Sequence, residues 1–122
     1  MPGLNKVQII GYLGQDPETR ATATGRQVAH FTVAVNRAWK DAEGQKQEAT
    51  DWFNVEAWGR LGEICAEYLR KGRLVYVEGR LRTDRWEDGQ GNTRSRTVVV
   101  ATDVQMLDRA QGGRPEEGEE PF

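Results

Sequence analysis

The sequence predicts an all-β barrel of five strands with one α-helix between strands three and four. Three observations predict it. Apolar and polar residues alternate in successive stretches, the period-2 signature of half-buried strands. One segment instead carries Leu61, Ile64, Cys65, Tyr68 and Leu69 at helical spacing, an apolar stripe for packing against a sheet. The 122 residues hold one cysteine, so a single domain must rest on its hydrophobic core without an internal disulfide.

The first strand is predicted over Lys6 to Gly14, with Val7, Ile9 and Leu13 on one face and a turn at Gln15-Asp16-Pro17. A polar stretch with Thr22, Thr24 and Gly25 follows. Gln27 to Arg37 alternates again, with Ala29, Phe31, Val33 and Val35 inward. The polar residues Asp41 to Glu48 read as a mobile loop, and Asp51 to Trp58 as the third strand. The helix comes next; Arg70 and Lys71 complement its C-terminus, and Gly72 is expected as the left-handed residue that ends it. The fourth strand runs from Arg73 to Trp86, a glycine-rich tip spans Asp88 to Asn92, and the fifth strand runs from Thr93 to Met106. Its run Thr97 to Ala101 is apolar enough to be covered on both sides. Three strands, a helix and two strands are the order of the OB-fold barrel, whose helix plugs one end. Residues 1–109 form this domain and residues 110–122 a short acidic tail.

The formal charge of −2 divides unevenly. Residues 1–109 hold 16 Lys/Arg against 15 Asp/Glu, and residues 110–122 hold one Arg against four Glu. The domain has no steering field, so attraction to a polyanion must come from a local patch. The pleat of the third strand turns Trp52, Asn54, Glu56 and Trp58 outward when Phe53, Val55 and Ala57 face the core. In the fourth, Val75, Val77 and Leu81 point in, leaving Tyr76, Glu78, Arg80, Arg82, Asp84 and Trp86 outside. Two neighbouring stretches are thus expected to expose three indoles interleaved with two guanidiniums. Exposed aromatics invite a partner. Every nucleobase offers a π-face to an indole, and arginines between the rings suit phosphates.

These residues also carry a family resemblance over nearly all of residues 4–107. Asn5-Lys6-Val7 and Gly11-Tyr12-Leu13-Gly14-Gln15-Asp16-Pro17-Glu18, then Trp52-Phe53-Asn54-Val55 and Trp58-Gly59-Arg60-Leu61, stand in order. Glu67 to Gly72, Val75-Tyr76-Val77-Glu78-Gly79 and Leu81-Arg82-Thr83 with Trp86 complete them. The sequence resembles the bacterial single-stranded DNA-binding protein family. The resemblance implies a sequence-independent binder of single-stranded DNA, a homotetramer that wraps the strand, acting in replication, recombination and repair. It places base-stacking aromatics at Trp39, Trp52, Trp58 and Trp86, and backbone-contacting cations at Lys6, Arg20, Arg60, Arg70, Lys71 and Arg82. Phe53 falls where the family has an aromatic or imidazole in subunit contacts. Asn54 and Asp84 depart from it, standing where relatives often carry a basic residue.

The remaining polar residues suggest no catalysis. His30, the only histidine, has no nucleophile or paired carboxylate at a catalytic spacing and reads as a surface or interface side chain. Cys65 reads as an inert core residue. Asp16, Glu18, Asp41 and Asp51 are scattered, so a metal-dependent nuclease lacks its ligand cluster, and neither metal nor cofactor is expected. An OB-fold adaptor for proteins or folded RNA is the other alternative, which the arginine–tryptophan interleaving disfavours. No apolar run suits a membrane span or signal peptide, so a cytoplasmic, nucleoid-associated protein is expected. The tail lacks hydrophobic periodicity and is expected to be disordered. Its end, Glu117-Gly118-Glu119-Glu120-Pro121-Phe122, resembles the family's acidic partner-binding tip, although that tip usually has aspartates and a much longer linker. Thirteen extended residues reach only about 45 Å.

Overall fold

The computed structural model describes residues 3–108. The tail 110–122 and its tip therefore lie outside the described residues. The chain forms β1 (Val7–Leu13), β2 (Glu18–Ala21), β3 (Gln27–Lys40), β4 (Lys46–Trp58), α1 (Gly59–Tyr68), β5 (Leu74–Glu87) and β6 (Thr93–Met106). The sheet order is β1-β5-β6-β4-β3-β2, and β1 also pairs with β3, closing β1, β3, β4, β5 and β6 into a five-stranded barrel. All pairings are antiparallel except β4 with β6. This is the OB-fold expected from the order of elements.

Closure depends on a close approach. At the junction Tyr12 stands opposite Ala34 and Leu13 opposite Val33. A Cβ on Gly11 would sit 2.2 Å from the Ala34 carbonyl oxygen and 2.9 Å from Val33 Cγ1. Only a residue without a side chain lets β1 bend onto β3. Inside, Phe31, Val33, Val55, Val75, Val77 and Val99 are fully buried, with Leu13, Cys65 and Leu69 against them. The helix lies mainly against β3 and β4.

Several expectations change. Residues Glu18–Ala21 form a strand that periodicity did not signal, because all four residues are exposed and the segment only pairs with the edge of β3. The expected mobile loop Asp41 to Glu48 is instead a hairpin tip. β3 and β4 stay in register to Lys40 opposite Lys46, and the Asp41 carboxylate accepts the backbone N–H groups of Glu43 and Gln45, both at 2.9 Å. These ladders escape sequence reading because both their faces meet water. On the helix, Gly62, Cys65 and Leu69 are buried, whereas Ile64 and Tyr68 are exposed, so the stripe is narrower than its spacing suggests. Gly72 has φ of +89° but belongs to the following turn, where Arg73 N–H donates to the Arg70 carbonyl at 3.1 Å; the helix ends at Leu69 in extended conformation. Leu81 keeps its inward parity yet is exposed, because the pairing of β1 with β5 ends at Val7 opposite Gly79 and leaves Leu81 without a strand neighbour on that side. Val98 to Ala101 are buried on both faces, as the apolar run implied, but Thr97 is exposed.

Replacing Gly11 with Ala should destabilise the domain by on the order of 3 kcal/mol, read as a lower urea midpoint, since backbone must move to admit the methyl. Cys65 is buried, and desolvation pushes its thiol pKa up to about 11. A disulfide reagent at mildly alkaline pH should therefore label it only after unfolding. Rapid labelling of the native chain would contradict this packing.

Candidate nucleic-acid interface

The outward residues of β4 and β5 are not immediate neighbours, contrary to the expectation from sequence. β6 lies between the two strands. Reading across the face, Thr32, Asn54, Val98 and Arg82 form one row, and His30, Glu56, Val100 and Arg80 the next. Residues on β4 and β5 are thus two strand spacings apart, about 10 Å. Long side chains bridge that gap.

Arg82 makes the bridge. Its Nη1 lies 3.0 Å from Glu56 Oε1 and its Nη2 donates to Oε2 at 3.1 Å. Its Nε and Nη2 also donate to the two Asp84 oxygens, at 2.8 and 3.0 Å. Asp84, the departure from the family pattern, is thereby neutralised by Arg82 on its own strand face, with Arg96 opposite at 4.0 Å, rather than by its neighbour Arg85. Glu56 is only 3% exposed, and its Oε1 also accepts the Trp58 Nε1–H at 3.2 Å. The guanidinium pKa is raised above its ordinary value by Asp84 and then Glu56, and the Arg82 hydrogen bond holds the Asp84 carboxyl below the usual carboxylate range.

Three of the four tryptophans share this outer face. Trp52 is 61% exposed, and its ring edge lies where a side chain on Gly14 would be, 2.5 Å from a Cβ there. Trp58 sits at the β4–α1 corner with the Arg26 guanidinium 4.7 Å over its ring. Trp86 lies on the β5–β6 arm opposite Arg94. Trp39 is exposed too, but its parity in β3 puts it on the other face of the β3–β4 arm, where Arg37 stacks on it at 4.7 Å and pairs with Asp51 at 2.8 Å. The two arms end alike. Asp88 accepts the N–H groups of Gln90 and Asn92 as Asp41 does those of Glu43 and Gln45, and each indole stands two residues before its aspartate.

The cations anticipated from the resemblance scatter more widely. Arg80 lines a 530 Å³ groove with Arg26, Trp58, Leu61 and Val100. Arg26 was missed by sequence reading; its only signal was the turn chemistry of Thr22 to Gly25, which sets Val28 opposite Trp58. Arg20 lies on β2, lining a cavity with Glu18, His30 and Arg96. Arg60 pairs with Glu63 at 3.7 Å at the start of the helix. Arg70 is at the other end, donating to the carbonyls of Ala66 at 2.9 Å and Leu69 at 2.6 Å, with Lys71 N–H held by Asp16. Lys6 pairs with Glu78 at 3.4 Å on the β1–β5 side, beside Tyr76, which also bonds Glu78. Among the described residues, Arg20, Arg26 and Arg80 have no carboxylate partner, and neither do the side chains of Arg70, Lys71 and Arg85. His30 is half-buried and its Nε2 has no hydrogen-bond partner.

Comparison with known proteins decides the family. Residues 4–107 match the model of the single-strand binding protein family. The chain belongs to that family. It is 50% identical over 112 residues to single-stranded DNA-binding protein 1 of Chlorobaculum tepidum, covering 91% of this chain and 69% of that one. The Plasmodium falciparum SSB in complex with ssDNA superposes with a TM-score of 0.83 at 31% identity, covering 88% of this chain and 98% of that chain. Family membership agrees with the OB barrel observed.

The Asp84 carboxyl has a lowered pKa in the folded state, so its contribution to stability is present above the unfolded value and is lost as pH falls through the folded one. Asp84→Asn should therefore lower the urea midpoint at about pH 6, with the difference from the parent shrinking towards about pH 2. A pH-independent difference would mean that the Arg82 pairing is not its source.

Proposed function

We propose that this chain binds single-stranded DNA without regard to sequence, stacking bases on Trp52, Trp58 and Trp86 and holding phosphates with Arg26 and Arg80. The observation that carries the reading is the outer face itself. Three indoles stand at separate points of one sheet face, and beside Trp58 lies a groove with the Arg26 and Arg80 guanidiniums free of carboxylates. A linear chain of π-faces joined by anions fits such spacing, whereas a compact ligand would need one enclosed pocket. The known relatives support the ligand class, since one is named for single-stranded DNA and the other is in complex with it.

Arg20 and Arg60 extend the cationic track on either side of Trp58, and Trp39 offers a further platform where a strand passes around the β3–β4 arm. The charged groups of Lys6, Arg70 and Arg82 are engaged within the fold and act as secondary contacts at most, whereas Asp16 holds Lys71 only by its backbone N–H and leaves its ammonium to meet phosphate. A homotetramer is part of the reading: β1 pairs with β3 only at Tyr12 and Leu13, so the edge from Val7 to Gly11 is open to a second copy, and Ile10 and Tyr12 beside it are exposed. Open edges are covered in stable proteins. Roles in replication, recombination and repair, recruitment of partners through Glu117 to Phe122, and a nucleoid location are part of the same reading, and family membership supports it. The terminal carboxylate and phenyl ring supply the features of short-peptide capture. Among the described residues no helix is long and apolar enough to cross a membrane.

Saturation with poly-dT should quench most of the tryptophan emission, and Trp52→Ala should weaken binding by roughly 1–3 kcal/mol while leaving the fold intact. Unchanged emission at saturation would sink the stacking assignment. A variant ending at Pro121 keeps the four tail glutamates and a terminal carboxylate but lacks the phenyl ring. It should bind DNA normally and lose capture by a replication or repair protein that recognises the tip; equal capture would reduce the tail to a solubilising end.

A further inference from the structure

Arg82 is the best-placed guanidinium on the face and yet the most thoroughly neutralised. Four contacts of 2.8 to 3.1 Å tie it to Glu56 and Asp84, and Asp84 also stands 4.0 Å from Arg96. Forming a phosphate contact would mean giving up these charge-assisted bonds, so the fork gains little by the exchange. Two of the domain's carboxylates are thus placed directly on the binding face, against its central guanidinium.

Such masking acts unequally on two polyanions. A single strand offers both unstacked bases and phosphates, whereas a duplex offers phosphates while its base faces stay stacked inside. Withholding cations removes most of what a duplex can gain and only part of what a single strand can gain. We propose, resting on the single-strand reading above, that Glu56 and Asp84 are specificity-determining residues that reject duplex DNA by holding Arg82 away from phosphate. The attraction given up towards the right ligand is offset by stacking, and the wrong ligand has no such compensation. Glu56 has a second duty as a positioning residue, since the oxygen that faces Arg82 also orients the Trp58 indole.

The test compares a dT oligomer with a blunt duplex of the same length over a range of salt. Asp84→Asn is the main variant, because this carboxylate is about one-third exposed and its loss frees the Nε side of the Arg82 fork for phosphate while the Nη1 side keeps buried Glu56 paired. Glu56→Gln is the second; it keeps an acceptor for Trp58, and its fold is checked by circular dichroism. Glu67→Gln, on the exposed helix face, removes one unit of charge away from the site. Asp84→Asn should raise duplex affinity roughly tenfold at about 50 mM salt, and steepen its log K against log salt slope by about 0.9. Affinity for the dT oligomer should rise only about two- to threefold, so that discrimination falls. Glu56→Gln should move both ligands in the same directions, and Glu67→Gln should leave the ratio at the parent value. The proposal is overturned if Asp84→Asn leaves the ratio unchanged or raises it, or if Glu67→Gln shifts it as much. Failure of the parent chain to bind the dT oligomer would overturn the single-strand reading itself, and is told apart because it needs no variant.

Discussion

The arrangement depends on one stretch of β6, Val98 to Ala101, that must be covered on both faces. Its inner side completes the barrel core, packing Val99 among residues of β3, β4 and β5. Its outer side would otherwise present valines to water between the two strands that carry the proposed binding residues. Arg82 on β5 and Glu56 on β4 join over that surface, so the arginine's aliphatic stem has to cross β6 to reach its partner. A buried carboxylate without such a partner would be costly, and a buried pair is weak evidence of net stability compared with apolar packing. What the pair supplies is geometry. It ties β4 to β5 across the intervening strand and fixes Trp58 through the same oxygen.

That constraint sets the character of the face. Trp52 and Trp58 are separated by six residues of one strand, about 20 Å, and Trp86 stands on the far side of β6. The platforms are therefore strung out, and what lies between them is a neutralised bridge, not a cationic wall. Unpaired guanidiniums collect instead near Trp58, from the turn before β3 and from β5. In the proposed mode stacking would dominate the attraction, which suits a ligand recognised by exposed base faces more than by charge density.

The barrel was legible in the sequence wherever a strand had one wet face and one dry face. β6 emerged with its observed bounds, Thr93 to Met106, and the outward placement of Trp52, Trp58 and Trp86 followed from parity alone. Legibility failed where both faces are wet, at β2 and at the outer halves of β3 and β4, since exposed ladders leave no apolar period. It failed again for pairings distant in sequence. The parallel insertion of β6 between β4 and β5 has no local signature, so Arg82 could be counted as a cation but not as one already claimed by Glu56. Arg26 was hidden for the related reason that its role depends on a hairpin built from β2.

The two arms show how exposed indoles can be carried without a core beneath them. Asp41 and Asp88 close their turns in the same way, each accepting two backbone N–H groups and a side chain six residues on, Gln47 in one arm and Arg94 in the other. In each turn a glycine three residues after the aspartate takes positive φ, Gly44 at +78° and Gly91 at +80°. The backbone amides of Gln45 and Gln90, with other partners, hold the two carboxyls below the usual range, so both caps stay ionised and closed at neutral pH. Trp39 and Trp86 occupy the equivalent position, two residues before the cap, in ladders that the turn keeps in register. An aromatic on a loose loop would surrender conformational entropy on every encounter with a ligand. Here the ordering is done by turn hydrogen bonds before any ligand arrives, which is how a small barrel extends stacking surfaces beyond its own radius.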